Sequence, residues 1–286
     1  MPIQKFPPMR KDFPSFDCDA HVAEPNLIWE RAAEYLTKDE MAALKTTMWF
    51  DKETNQLIVN GVLGAGFASS EGKGRAGAMN LAGVAGPGMK HRIQRTFNVR
   101  NLDPKTALTK EQSAYVDHKG AFLPKARLAD MDFQGIDQVM LIPSDVDTYP
   151  WLANGLGAAA MCKAYNEWAW DFCKENPERL YFAALIPLQD PVAAIREVHR
   201  VAAKGCRVGL IRPIDAMGNY PLQPKYDGLW AAMQEAGMVY GMHPFPAFGA
   251  LKPPGYTEQH SPSELINRTI SSARISHSFL TNVQNF

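Results

Sequence analysis

The chain has 286 residues and little cysteine: only Cys18, Cys162, Cys173 and Cys206. None forms a Cys-x-x-Cys pair, and the spacing suits neither a zinc ribbon nor a disulfide scaffold. Buried free thiols in a cytoplasmic protein are the expectation. An excess of one charge is also missing, because 30 Lys and Arg balance 30 Asp and Glu. A nucleic-acid binder needs a basic face to meet phosphates, and an anionic membrane attracts polybasic segments, so neither partner is expected. No apolar run approaches the ~20 residues of a membrane-spanning helix. The opening MPIQKFPPMRKDFPSFD is broken by prolines and charges and lacks the apolar stretch of a secretory signal. The sequence has no GxSxG elbow, no HExxH helix and no Walker loop, which removes the common serine hydrolase, zincin and P-loop readings. Gly72-Lys73-Gly74-Arg75-Ala76-Gly77 spells GxGxxG but follows the polar Ala68-Ser69-Ser70-Glu71 instead of a strand, so it is not read as a dinucleotide site.

What is present is a soluble globular composition, 46% hydrophobic and 21% charged, long enough to bury a sizeable core. From about residue 127 a unit recurs: an amphipathic stretch, a glycine, then a short apolar run. Residues 127–134 stop at Gly135, and Gln138–Ser144 follows. A helix over 155–175 precedes a strand Leu180–Pro187. Asp190-Pro191 opens a helix to Lys204 that stops at Gly205 before a strand Arg207–Pro213. A helix over 225–236 stops at Gly237 before a strand Met238–His243, and a last amphipathic stretch covers about 263–283. The glycines suit the left-handed position that ends a helix, and the runs suit buried parallel strands. Such alternation fits either an open doubly wound sheet or a (β/α)8 barrel, and both gather functional residues at the carboxyl ends of strands.

An earlier strand, Phe16–His21, precedes an insertion over about 25–126. Within it, Met48–Phe50 and Gln56–Val59 flank a polar turn and are predicted to form a small hairpin. Residues 61–90 hold nine of the 21 glycines. They are read as a mobile excursion, a lid or an oligomer contact, which leaves a homo-oligomer open.

The residues that point to chemistry begin with Asp17-Cys18-Asp19-Ala20-His21. Regular alternation places Asp17, Asp19 and His21 on one side of a strand, where a carboxylate and an imidazole two apart can chelate a divalent cation. A solvated edge strand or a capped turn is the alternative. His243 ends a later strand and is either a hydrogen-bonded histidine or a further ligand, since metal sites draw ligands from several elements. Arg212 ends another strand and is read as pairing with a substrate carboxylate or bridging loops. Ser144, Asp145, Tyr149 and Trp151 follow a strand and line a pocket or pack a loop. Glu24 orients a ligand or caps a turn, and Asp17 is the other candidate for orienting a ligand.

Five stretches carry a resemblance: DCDAHVAEP at 17–25, RLADMDFQGID at 127–137, AYNEWAWDFCKENPERL at 164–180, ALIPLQDP at 184–191 and YDGLWAAMQEAGMVYGMHP at 226–244. Together they resemble the amidohydrolase-related, metal-dependent hydrolase family that includes aminocarboxymuconate-semialdehyde decarboxylase and the hydroxybenzoate-type decarboxylases. The resemblance implies a metal-dependent TIM (β/α)8 barrel, as a single domain over 1–286. It implies Asp19, His21 and His243 as ligands of Zn2+, with Mn2+ as the other candidate. It implies non-oxidative decarboxylation, a carbon–carbon lyase reaction, of a small carboxylated aromatic or dienoic substrate. Metal-dependent hydrolysis is the alternative, because one site supports either. Five strands of eight are counted, so a barrel truncated after about five strands is expected, with the general acid/base beyond Phe286. A non-catalytic binding or interaction protein is the third reading.

Overall fold

The computed structural model describes residues 11–22, 27–51, 56–59, 62–63, 119–121, 123–143, 146, 152, 154–211, 219 and 221–242. The repeating unit forms as the sequence predicts. Helix α3 (Pro124–Gln134) starts with proline in its first turn and ends at Gly135, at φ 69°. Strand β5 (Gln138–Ile142) follows, then α4 (Gly155–Cys173), whose Asn154 side chain accepts the Gly157 N–H at 3.0 Å. Strand β6 (Leu180–Leu185) leads to α5 (Pro191–Ala202). The Asp190 carboxylate caps α5 by accepting the Val192 and Ala193 N–H groups at 2.9 and 3.0 Å. After α5, Gly205 adopts φ 87°, a conformation that costs other residues energy, and the chain enters β7 (Val208–Leu210). Helix α6 (Asp227–Glu235) and β8 (Val239–Gly241) complete the series. The strands are shorter than the apolar runs because pairing stops before the proline or polar residue that ends each run.

Strand β1 (Phe16–His21) joins these four in one sheet of order β1-β5-β6-β7-β8, every neighbouring pair parallel. Strand order therefore follows chain order. A doubly wound sheet reverses its order at a switch point, and among the described strands the order does not reverse, so this is the wall of a (β/α)8 barrel. Register sorts the two faces. Val139, Leu141, Leu180, Phe182, Ala184, Gly209 and Tyr240 share the helix side, where all but the half-buried Tyr240 are buried. There the Tyr240 ring meets Trp230 of α6 edge-on at 5.2 Å. On the opposite face Met140, Tyr181, Val208 and Val239 are partly or well exposed, whereas Ile142, Ala183, Leu185 and Leu210 are buried.

The insertion has structure that its composition did not announce. Helices α1 (Leu27–Tyr35) and α2 (Lys38–Thr47) pack against α4. The predicted hairpin forms as β2 (Met48–Asp51) against β3 (Gln56–Val59), with β4 (Val62–Leu63) as a third antiparallel strand. The glycine-rich stretch beyond Leu63 and the last amphipathic stretch lie outside the described residues. Among the described residues no helix is long and apolar enough to cross a membrane. Cys162, Cys173 and Cys206 are buried free thiols as expected, but Cys18 is exposed.

Candidate metal centre

The carboxyl end of β1 departs from regular alternation. Asp17 pairs with Val139 and Ala20 with Leu141, so three steps on β1 oppose two on β5. The extra residue is a β-bulge over Cys18 and Asp19, and a bulge re-aims the side chains that follow it. Asp17 consequently shares the helix side with Val139, while His21 pairs with Ile142 on the other face. The expectation that Asp17, Asp19 and His21 share one face is thereby corrected: one inserted residue inverts the parity of everything before it.

Asp19 and His21 do converge. The Asp19 Oδ1 lies 3.5 Å from His21 Nε2, with the carboxylate 66% exposed and the imidazole 34% exposed. Two ligands each ~2.0–2.1 Å from a tetrahedral cation stand ~3.4 Å apart, so this spacing fits a shared divalent ion. Among the described residues no group of three His, Cys, Asp or Glu side chains is close enough to hold a metal. Asp17 supports the pair from behind: its Oδ1 accepts the Asp19 N–H at 3.0 Å across the bulge.

The backbone after the pair is also held. The Val22 N–H donates to the Ile142 carbonyl at 3.0 Å. Arg127, in the first turns of α3, donates from Nη2 to the His21 carbonyl at 2.5 Å and from Nε to the Gly120 carbonyl at 2.8 Å. Burial lowers its pKa from the ordinary value, opposed by the charges of Asp130 and Asp17. Sequence reasoning did not single out Arg127, although a signal was there. Lys125 and Arg127 open a helix with no acidic residue in its first turn, the wrong polarity for the positive end of a helix dipole. A cation placed there against the dipole needs another reason.

Glu24, Ser144, Asp145, Tyr149, Trp151, Arg212 and His243 lie outside the described residues. In sequence, Arg212 follows directly on Ile211 and His243 on Met242. The Ile211 N–H donates to the Gly241 carbonyl at 2.9 Å, so β7 and β8 remain paired up to their carboxyl ends. That is the edge at which His21 ends β1.

The amidohydrolase sequence profile matches residues 16–269. The chain belongs to the amidohydrolase family. Among solved structures, this amidohydrolase is similar to one from Mycobacterium avium subsp. paratuberculosis, with 20% identity and a TM-score of 0.56 over 82% of this chain and 59% of that one. It also matches 5-carboxyvanillate decarboxylase from Novosphingobium aromaticivorans, complexed with manganese and 4-hydroxy-3-methoxy-5-nitrobenzoic acid. There the identity is 17% and the TM-score 0.49, over 92% of this chain and 55% of that one. A third match is 2,6-dihydroxybenzoate decarboxylase from Rhizobium, at 22% identity and TM-score 0.42 over 50% of this chain and 46% of that one. This amidohydrolase thus spans between 46% and 59% of the length of these three structures. No curated protein matches it.

Proposed function

We propose that this amidohydrolase is a metal-dependent decarboxylase of a small carboxylated aromatic or dienoic acid, built as a single barrel-type domain. The observation that carries the reading is the Asp19–His21 pair, 3.5 Å apart at the carboxyl end of a parallel strand. That is where barrel enzymes assemble their sites. Family membership and the resemblance of the five stretches to the decarboxylase branch support the same reading. Asp19, His21 and His243 are the proposed ligands, and Zn2+ and Mn2+ are the candidate ions. When bound, such a cation supplies a Lewis acid that polarises a substrate oxygen. The chain's own residues do the rest. Arg212 presents a planar fork to a substrate carboxylate, and Tyr149 and Trp151 offer faces on which a flat ring stacks. Asp17 holds the Asp19 backbone, and Glu24 orients a ligand.

Metal analysis of the purified 286-residue chain and of His243→Ala tests the ligand set. About one Zn2+ or Mn2+ per chain by the one-site logic, lost in the variant, is the expected result. Carbon dioxide release from hydroxybenzoates and carboxylated dienes then tests the reaction. Hydrolysis is the second reading, favoured by the family's own description. Ester or amide cleavage without carbon dioxide release would establish it and sink the decarboxylase reading. A folded wild-type chain that takes up neither metal would overturn the site itself and favour a binding role.

A further inference from the structure

We propose that Arg127 is the positioning residue of the metal centre, holding the His21 backbone so that the Asp19–His21 pair keeps its spacing. This rests on the reading of Asp19 and His21 as ligands. The arrangement is built from three sides. Arg127 Nη2 donates to the His21 carbonyl at 2.5 Å, and Nε donates to the Gly120 carbonyl at 2.8 Å. One planar group therefore spans the end of β1 and the short helical turn Lys119–Ala121. A rigid fork reaches two acceptors at fixed angles, which the single ammonium of lysine does not. The turn sits close enough because residue 120 is glycine. A Cβ there would meet Asp130 Oδ2 at 2.2 Å and the Arg127 Cα at 3.0 Å, and backbone cannot yield as a side-chain tip can.

The third side is electrostatic. Asp17 acts on Arg127 by charge, and the Asp17 carboxylate accepts the Asp19 N–H at 3.0 Å. Arg127 thus touches the backbone of one proposed ligand, and its charge acts at longer range on the carboxylate that holds the backbone of the other. A bulge leaves its extra residue without a ladder partner, so the segment most in need of bracing is the one that carries the ligands. Both bonds go to backbone carbonyls, not to the Asp19 or His21 side chains. The role is positional, of the kind whose loss costs roughly 10–100-fold in metal affinity.

The test compares wild type, Arg127→Ala and Arg127→Lys, with two readouts on the full chain. One is Mn2+ affinity by titration of the metal-free protein. The other is hydrogen exchange of the β1 amides in that same metal-free state. The expected result is Mn2+ binding weakened at least tenfold in Arg127→Ala, by the measure above. Asp19 and Val22 amide protection should fall while β6 and α4 stay protected, and added guanidinium should restore both. Arg127→Lys should recover less than half of the lost affinity on the logarithmic scale. A folded Arg127→Ala chain with wild-type affinity and wild-type β1 exchange overturns the proposal. Should Arg127→Ala fail to fold, Arg127→Lys decides: a folded Arg127→Lys chain with wild-type Mn2+ affinity and wild-type β1 exchange also overturns the proposal. A wild-type chain that takes up no Mn2+ defeats the metal-site reading separately, and β1 exchange then decides the brace alone.

Discussion

Single residues in this molecule carry unequal weight, and Asn166 shows why. It is buried inside α4 at 1% exposure and is the only buried asparagine on that helix among the described residues. Its Oδ1 accepts the Leu185 N–H at 2.8 Å, and its Nδ2 donates to the Leu185 carbonyl at 3.0 Å. The same Nδ2 donates to Glu197 Oε1 at 2.6 Å, and Arg200 donates to that carboxylate as well as to Glu167. One amide therefore closes the end of β6 and ties α4 to α5. Removing it leaves a buried backbone pair and a buried carboxylate short of partners, which is worth more than the bonds themselves. Asn166→Ala is expected to lower stability by about 2–4 kcal/mol. The exposed Arg196→Ala on α5 should stay within about 0.5 kcal/mol. Urea midpoints at unchanged slope would measure both, and equal midpoints for the two variants would refute the account.

Between elements, α2 and α4 approach closely at Gly157. A Cβ on Gly157 would lie 2.0 Å from Thr47 Oγ1 and 2.7 Å from Thr47 Cβ, so the two helices meet with no room for a methyl. Gly157→Ala should cost about 1–3 kcal/mol by overpacking. Thr47→Gly in the same chain should return part of it, and a double-mutant cycle with no coupling would contradict the crossing. The same helix pair carries a pH response. Thr37 and Glu40 form a capping box, with the Thr37 N–H donating to Glu40 Oε2 at 2.7 Å, and Lys163 of α4 lies 3.2 Å from that carboxylate. Burial opposes the shift, but the Thr37 bond and Lys163 outweigh it and lower the Glu40 pKa below its ordinary value. A lowered folded-state pKa means the contribution is full above the unfolded value of ~4.3 and fades as pH falls through the folded one. Glu40→Gln should destabilise at neutral pH and converge with wild type in acid. Denaturation midpoints at the two pH values would show it, and a constant gap would exclude it. This capping box also marks what was legible: Thr37 followed three residues later by Glu40 announces a helix start, yet α1 and α2 were not anticipated. An insertion has no neighbouring repeat of the helix–glycine–strand unit to confirm such a local signal.

At the scale of the whole molecule, local grammar was readable and pairing was not. Gly135, Gly205 and Gly237 marked the helix ends because only a left-handed residue turns the chain there. The βαβ alternation left barrel and open sheet equally open, because strand order depends on which strands pair, and only the order β1-β5-β6-β7-β8 separates them. In the candidate site, the approach of Asp19 to His21 was legible from their spacing. The bulge was not, since a pattern of period two carries no mark of one added residue, and so the side taken by Asp17 was misjudged. Arg127 acts through a carbonyl, which no side-chain motif records. A cation that binds only the folded state stabilises it by mass action, by about 2.7 kcal/mol at 100 times its dissociation constant. In a domain of this size that is a rise in Tm of roughly 5–10 °C. Saturating Mn2+ is expected to produce it in wild type, and EDTA to reverse it. Asp19→Ala and His21→Ala should show no rise, whereas His199→Ala, exposed on α5, should keep it in full. His243→Ala separates a two-donor site from a larger one: a residual rise means that Asp19 and His21 hold the ion without it, and complete loss makes His243 a ligand. A full rise in His21→Ala would mean that the cation binds elsewhere, and the carboxyl end of β1 would then lose its claim to the site.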